Sequence, residues 1–157
     1  MLFQEAMCGI HGLERDGALA GTAESYVRLA DKEDPVGYNI SIMRLLTLLK
    51  SKIHRATVTE ADVNYVGSIT IDRDLIERVG LLPGELVHVW NVDNGARFET
   101  YVIDGEPLSG CIVVNGPAAH HAKVGHKLII ASFCLTDEPI KAKAILVDDE
   151  NRYVRPL

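Results

Sequence analysis

The spacing of β-type runs constrains this chain more than any other feature. From Leu45 onward, short stretches rich in β-branched residues alternate with turn signals. "KSKIHRATVTEA", "YVGSITI", "LVHVWNV", "RFETYVI", "GCIVVN", "KLIIASFCL" and "KAKAILVD" each read as a strand. "EADVN" and "LLPGE" read as turns, and "DNGA" carries Asn-Gly, the strongest short hairpin signal. One helix interrupts the pattern in "DRDLIERVG". Asp72 suits its N-cap, Leu75, Ile76 and Val79 share an apolar face, and Gly80 suits the stop. "GPAAHHA" reads as a turn into a single helical turn, with Pro117 at a tolerated first position. Many short strands with tight turns predict a mainly β domain, a small barrel or sandwich.

Residues 1–43 differ in character. "CGIHGLERDGALAGTAES" is rich in Gly, Ala and charge without a clear period, and "LADKEDPVGYN" adds a charge cluster and a Pro-Gly loop signal. This segment is expected to be a loosely ordered extension with one short helix around 22–29. Residues 44–157 then form the one domain that the 157-residue length suits.

Charge and cysteine usage narrow the function classes. A net charge of −6 disfavours nucleic acid as a main partner, because phosphate binding needs a basic surface. Cys8, Cys111 and Cys134 are odd in number and widely spaced, which fits reduced thiols. No basic region followed by a sustained apolar run marks a signal peptide. The longest apolar-rich stretch, "ISIMRLLTLLKSKI", carries Arg44 and Lys50 and is too short for a bilayer. The expectation is a soluble, cytoplasmic protein with no membrane partner.

The strand "YVGSITI" holds a Gly-Ser pair where the chain should be extended. A glycine weakens a strand interior. It also leaves the Gly67 carbonyl unshielded and permits unusual dihedrals. The Ser68 hydroxyl can attack that carbonyl through a five-membered ring. Elimination from the resulting ester cuts the chain, and hydrolysis then leaves a pyruvoyl group in place of the serine. An arbitrary Gly-Ser pair is far more often inert.

Several further motifs accompany this pair in order. "LKSKIHRATVTEADVNYVGSITID", "DLIERVGLLPGE", "VWNVDNGARFETYVI", "VVNGPAAH" and "KLIIASF" together resemble the pyruvoyl-dependent aspartate 1-decarboxylases over about residues 44–147. The resemblance implies a double-psi β-barrel assembled as a homotetramer. It implies self-cleavage between Gly67 and Ser68, giving a β-chain of residues 1–67 and an α-chain of residues 68–157. The implied cofactor is the covalent pyruvoyl group from Ser68, and no metal is implied. The implied reaction converts L-aspartate to β-alanine and CO2 through a Schiff base, feeding pantothenate and coenzyme A synthesis. An imine conjugated to a carbonyl delocalises the carbanion left at Cα, as a pyridoxal cofactor does.

The resemblance also assigns roles. Ser68 and Tyr101 are the catalytic pair, Tyr101 as proton donor to the carbanion. Gly67, Ser68, Thr100 and His54 belong to self-processing, with Thr100 bonding the Gly67 carbonyl. Lys52, Arg97, Thr100, Asn115, Gly116, Pro117, Ala118 and Trp90 belong to substrate binding, with Arg97 as a bidentate fork for a carboxylate. Tyr65 is expected near the cleavage point. Taken alone, Arg97 reads more readily as a solvated residue after a hairpin and Trp90 as core, Tyr101 reads as barrel packing, and Lys52 and His54 read equally as a surface cation and a polar core group. Thr100 and Tyr101 are adjacent on one strand and so face opposite sides. Both reach one site only through a twist, a bulge or a subunit boundary.

Two departures stand out. The family commonly has Ala at the Pro117 position, and proline supplies no N–H there. The family usually begins near Met43 or Arg44, so residues 1–43 are either a genuine addition or an early start site.

Other signals weigh less. "MCGIHG" resembles the start of N-terminal-cysteine amidotransferases, but seven residues precede Cys8. "HHAKVGH" lacks an accompanying Cys, Asp or Glu ligand pattern, so no metal site is expected. "DDEN" reads as a solvated turn. A rival reading is a non-enzymatic β-domain related to swapped-hairpin DNA-binding regulators, suggested by "DRDLIERVGLLPGELVHVW". The acidic balance argues against it. The sequence leaves open whether a maturation factor assists the cleavage.

Overall fold

The computed structural model describes residues 44–157, so the expected extension and its helix at 22–29 lie outside the described residues. The strands are β1 (Leu46–Thr57), β2 (Glu60–Asp62), β3 (Ser68–Asp72), β4 (Leu86–Asn91), β5 (Arg97–Gly105), β6 (Ile112–Asn115), β7 (Lys127–Thr136), β8 (Lys143–Val147) and β9 (Tyr153–Pro156). Helix α1 (Arg73–Val79) follows β3, and a 3-10 turn (Gly116–His120) follows β6.

The ladder runs β2-β6-β3-β5-β4-β7-β1-β8-β9. Only Val58 and Thr59 separate β1 from β2, and Thr59 N donates to Ile112 O. One continuous stretch of chain therefore pairs with β7 at its start and with β6 at its end. That closes β1/β2, β6, β3, β5, β4 and β7 into a six-stranded ring.

The pairings have an internal two-fold. Exchanging β1/β2, β3 and β4 for β5, β6 and β7 maps antiparallel β1–β7 onto β5–β4, and parallel β2–β6 onto β5–β3. The antiparallel pairs β3–β6 and β4–β7 map onto themselves. Helix α1 maps onto the 3-10 turn. This connectivity is the double-psi β-barrel.

The barrel interior is aliphatic. Ile53, Ile69, Ile71, Val87, Val89, Val102, Ile112, Val114, Leu128 and Ile130 are essentially fully buried. Each contributes about 1.5–3 kcal/mol of transfer free energy. Side chains alternate across a strand, so fixing these inward fixes their neighbours outward. Lys52 and His54 on β1, Trp90 on β4, and Arg97, Glu99 and Tyr101 on β5 therefore share the outer surface.

Helix α1 has the local signals the sequence carries. The Asp72 carboxylate accepts from Asp74 N at 2.9 Å, and Gly80 ends the helix at φ 68°. Asp72 also accepts from Leu108 N at 2.9 Å and Gly110 N at 2.7 Å, so this buried side chain ties the helix start to the β5–β6 loop.

Three expectations need correction. "EADVN" is not all turn, because Glu60–Asp62 extends along β6 as β2. The strand expected at 65–71 begins only at Ser68, because Tyr65 to Gly67 bend over the 3-10 turn. A ninth strand, Tyr153–Pro156, pairs with β8 and was not anticipated. No helix among the described residues is long and apolar enough to cross a membrane.

Candidate active site

Ser68 opens β3 and is fully buried. It lies opposite Asn115, the last residue of β6. The Asn115 amide donates to Ser68 Oγ at 3.0 Å and to Thr70 Oγ1 at 3.2 Å. One amide thus fixes two hydroxyls on the same face of β3. Because the Asn115 N–H takes a lone pair of Ser68 Oγ, the hydroxyl proton stays available to leave.

The residues before Ser68 pack backbone to backbone. Gly116 has φ +63°, and a Cβ there would lie 2.7 Å from Gly67 Cα, 2.8 Å from Gly67 N and 2.8 Å from Tyr65 O. A side chain cannot occupy that space without moving the Gly67 backbone. A Cβ on Gly67 would meet the Pro117 ring at 3.4 Å. Two glycines and a proline thus form a close backbone cradle around the Gly67–Ser68 bond. Ala118, in the 3-10 turn, is buried. Gly116→Ala is expected to displace Gly67 and slow any cleavage there by more than about tenfold, combining a left-handed strain with a backbone clash. Cleavage followed on a denaturing gel checks this, and wild-type processing of the variant would refute the cradle.

β5 runs parallel to β3, with Ile69 beside Val102. One residue back along both strands lie Ser68 and Tyr101, and before them Gly67 bends out of the strand line while Thr100 continues β5. Tyr101 shares the outer face with Ser68, whereas Thr100 faces inward with Val102. Strand parity therefore separates these two side chains as the sequence predicts. No side-chain hydrogen bond joins Thr100 to Gly67 among the described residues.

A second group of candidate residues lies elsewhere on the same chain. Register aligns His54, Ile129, Trp90 and Arg97 in one row across β1, β7, β4 and β5. Lys52, Ala131, His88 and Glu99 form the next row. Arg97 lies over the Trp90 ring at 5.4 Å. Trp90, Arg97, His88, Phe98, Glu99 and Phe133 line an open pocket of about 540 Å3. Sequence reading singled out neither His88, Glu99 and Phe133 nor Thr70. The signal for His88, Glu99 and Thr70 is period-two spacing on the strands that carry Trp90, Arg97 and Ser68, whereas Phe133 lies on β7.

The two groups do not meet within one chain. Arg97 is four residues from Tyr101, about 13 Å along the strand, and Lys52 lies on the row of His88 and Glu99, with β7 and β4 between its strand and β5. His54 lies on the row of Arg97, and no side-chain hydrogen bond joins it to Gly67 or Ser68 among the described residues.

Burial, with Lys52 and Arg55 nearby, lowers the His54 pKa below the usual histidine value. Its Nδ1 is buried without a hydrogen-bond partner, which favours the neutral ring. The folded state then binds fewer protons than the unfolded chain below about pH 6.5, so stability falls as pH drops through that range. His54→Gln is expected to lose less stability than wild type between pH 7 and 5, measured by urea unfolding. Equal losses would remove His54 as the cause.

Two of the clustered histidines are joined through the Asn91 amide, which donates to His121 O at 2.8 Å. His126 Nδ1 accepts from the Asn91 amide at 2.8 Å, and His121 stacks on Phe98 at 5.6 Å. Cys111 and Cys134 are free.

A family model described as aspartate decarboxylase matches residues 43–154. Proteins named aspartate 1-decarboxylase are similar over the same scale. That of Caldicellulosiruptor saccharolyticus is 56% identical over 115 residues, 71% of this chain and 90% of that protein. That of Clostridium acetobutylicum is 54% identical over 110 residues, 68% and 87% respectively. That of Listeria monocytogenes is 53% identical over 109 residues, 67% and 86% respectively. Among solved structures, a rationally designed protein, mkDPBB_sym_86, aligns at TM-score 0.39 and 19% identity over 55% of this chain and 96% of its own.

Proposed function

The chain belongs to the aspartate decarboxylase family, and from that premise we propose that it converts L-aspartate to β-alanine and CO2 after cutting itself between Gly67 and Ser68. The observation that carries this reading is the buried Ser68 hydroxyl, held by the Asn115 amide beside a glycine-walled backbone. Nothing observed favours the DNA-binding alternative.

Self-cleavage balances as follows. Ser68 Oγ bonds to the Gly67 carbonyl carbon, the Gly67–Ser68 C–N bond breaks, and the hydroxyl proton passes to the freed nitrogen. The ester then loses the Ser68 Cα proton, and the Cβ–O bond breaks to release the Gly67 carboxylate. Water replaces the nitrogen, and ammonia leaves. Asn115 orients the attacking oxygen. Gly116 admits the Gly67 backbone to a conformation that a Cβ would forbid. Thr100, on the strand that runs parallel to β3, is the side chain assigned to the Gly67 carbonyl oxygen, and His54 belongs to the same step. The fit of Ser68, Asn115 and the two glycines supports a pyruvoyl group at residue 68.

When formed, that group supplies a ketone conjugated to a carbonyl, an acceptor for the electrons released as CO2 departs. The chain's own residues bind and orient. Arg97 offers two parallel N–H donors to the side-chain carboxylate of aspartate, with Trp90 stacked under the guanidinium. Lys52 adds a second cation. Tyr101, beside Ser68 on the outer face, is the proton donor to Cα. Asn115, Gly116 and Ala118 line the substrate near residue 68. Pro117 contributes its ring but no N–H.

One aspartate cannot span from Ser68 to Arg97 or Lys52 of the same chain. The site is therefore completed by a second copy, whose β1–β7–β4–β5 outer face covers the Ser68 region of the first. His54 reaches the cleavage point by the same route. A closed homotetramer satisfies this requirement for every chain. A cytoplasmic location fits the reaction's place in pantothenate synthesis.

Intact-mass analysis alongside a β-alanine assay tests the reading. The expected products are residues 1–67 and a 68–157 fragment lacking a free amino terminus. Fully active material consisting of one uncut chain with an unmodified serine would overturn it.

A further inference from the structure

The outer-face block around Trp90 and Arg97 holds a second cross-strand pair that the roles above leave unused. Antiparallel β4 and β5 place His88 opposite Glu99 and Trp90 opposite Arg97. His88 Nδ1 lies 3.2 Å from Glu99 Oε1. The His88 ring meets Phe133 edge-on, with centroids 5.2 Å apart and planes at 87°.

Arg97 and Glu99 are two residues apart on one strand. Their side chains leave the same face about 7 Å apart, within reach of each other. An arginine beside a glutamate at that spacing pairs with it unless something else holds the carboxylate. Among the described residues no carboxylate is paired with Arg97, and the Glu99 carboxylate lies against His88 instead. Both arginine and glutamate line the same pocket.

We infer that His88 is a positioning residue that holds Glu99 away from Arg97 and so keeps the guanidinium free for the substrate carboxylate. This rests on the reading of Arg97 given under the proposed function. The His88 ring lies against the Glu99 carboxylate, and Phe133 packs edge-on against that ring. Without the imidazole, Glu99 becomes an intramolecular competitor for Arg97. Apparent substrate affinity then falls by the fraction of sites in which Arg97 is already paired. For a partly exposed ion pair this corresponds to about a threefold to fivefold rise in KM. The reacting atoms are untouched, so kcat per cleaved site stays within about twofold.

The experiment compares His88→Ala, the double variant His88→Ala/Glu99→Gln, and Arg97→Ala, with L-aspartate as substrate and rates normalised to the cleaved fraction. The expected result is a raised KM in His88→Ala that returns to within about twofold of wild type in the double variant. A raised KM that Glu99→Gln fails to restore would show that lost packing on Phe133 is responsible, and would overturn the inference. A raised KM in Arg97→Ala with a wild-type KM in His88→Ala would overturn this inference alone. A wild-type KM in Arg97→Ala would overturn the assignment of Arg97 and this inference with it.

Discussion

Ser68→Ala will run as one uncut polypeptide and form no β-alanine, a loss of more than about 10⁴-fold against wild type. The substitution removes the hydroxyl that attacks the Gly67 carbonyl, and with it the electron acceptor. The fold should survive. Ser68 is buried within β3, and alanine is smaller and leaves the Asn115 amide its second acceptor, Thr70 Oγ1, at 3.2 Å. Losing one hydrogen bond at a buried site costs about 1 kcal/mol, little beside the stability of a domain of this size. A cooperative melt close to that of wild type would confirm that the variant is folded. Decarboxylation by a folded, uncut Ser68→Ala chain would end the self-cleavage account.

Much of this arrangement is legible in the sequence, and most of the illegible parts have a common cause. Helix α1 can be read because Asp72, Leu75, Ile76, Val79 and Gly80 are all local signals. The opposed faces of Thr100 and Tyr101 follow from strand parity alone. The short strand Glu60–Asp62 is hidden because its residues have low β propensity, and its extended form comes from pairing with Val113 to Asn115, some fifty residues away. Tyr153–Pro156 is hidden for a different reason: it is short and ends in proline, and only its pairing with the nearby β8 shows it to be a strand. The residues around Ser68 can be named from motif, but the closeness of Gly116 to Gly67 depends on β6 lying against β3. The pairing of His88 with Glu99 requires the β4–β5 register, which the "DNGA" signal announces without fixing. Nor does a single chain's sequence reveal how far apart Ser68 and Arg97 lie on the outer face of one barrel.

That separation leads to the second large effect, an activity regained by mixing two inactive proteins. Ser68→Ala chains keep Lys52, Trp90 and Arg97 but lack the reactive group. Arg97→Ala chains cut themselves but lack the carboxylate fork, whose loss should lower kcat/KM by about 10²-fold or more. If each site joins Ser68 of one chain to Arg97 of another, co-expression creates sites with both native halves. Random 1:1 assembly makes about one site in four complete, so activity should return to roughly a quarter of wild type per site. The rescued protein should keep the wild-type KM, because complete sites are unaltered and the others are nearly silent. A site built within one chain gives the opposite result. Every subunit then carries one defect, and the mixture is no more active than the Arg97→Ala protein alone. Size-exclusion of differently tagged chains shows whether mixing occurred, so silence in a genuinely mixed oligomer counts against the shared site.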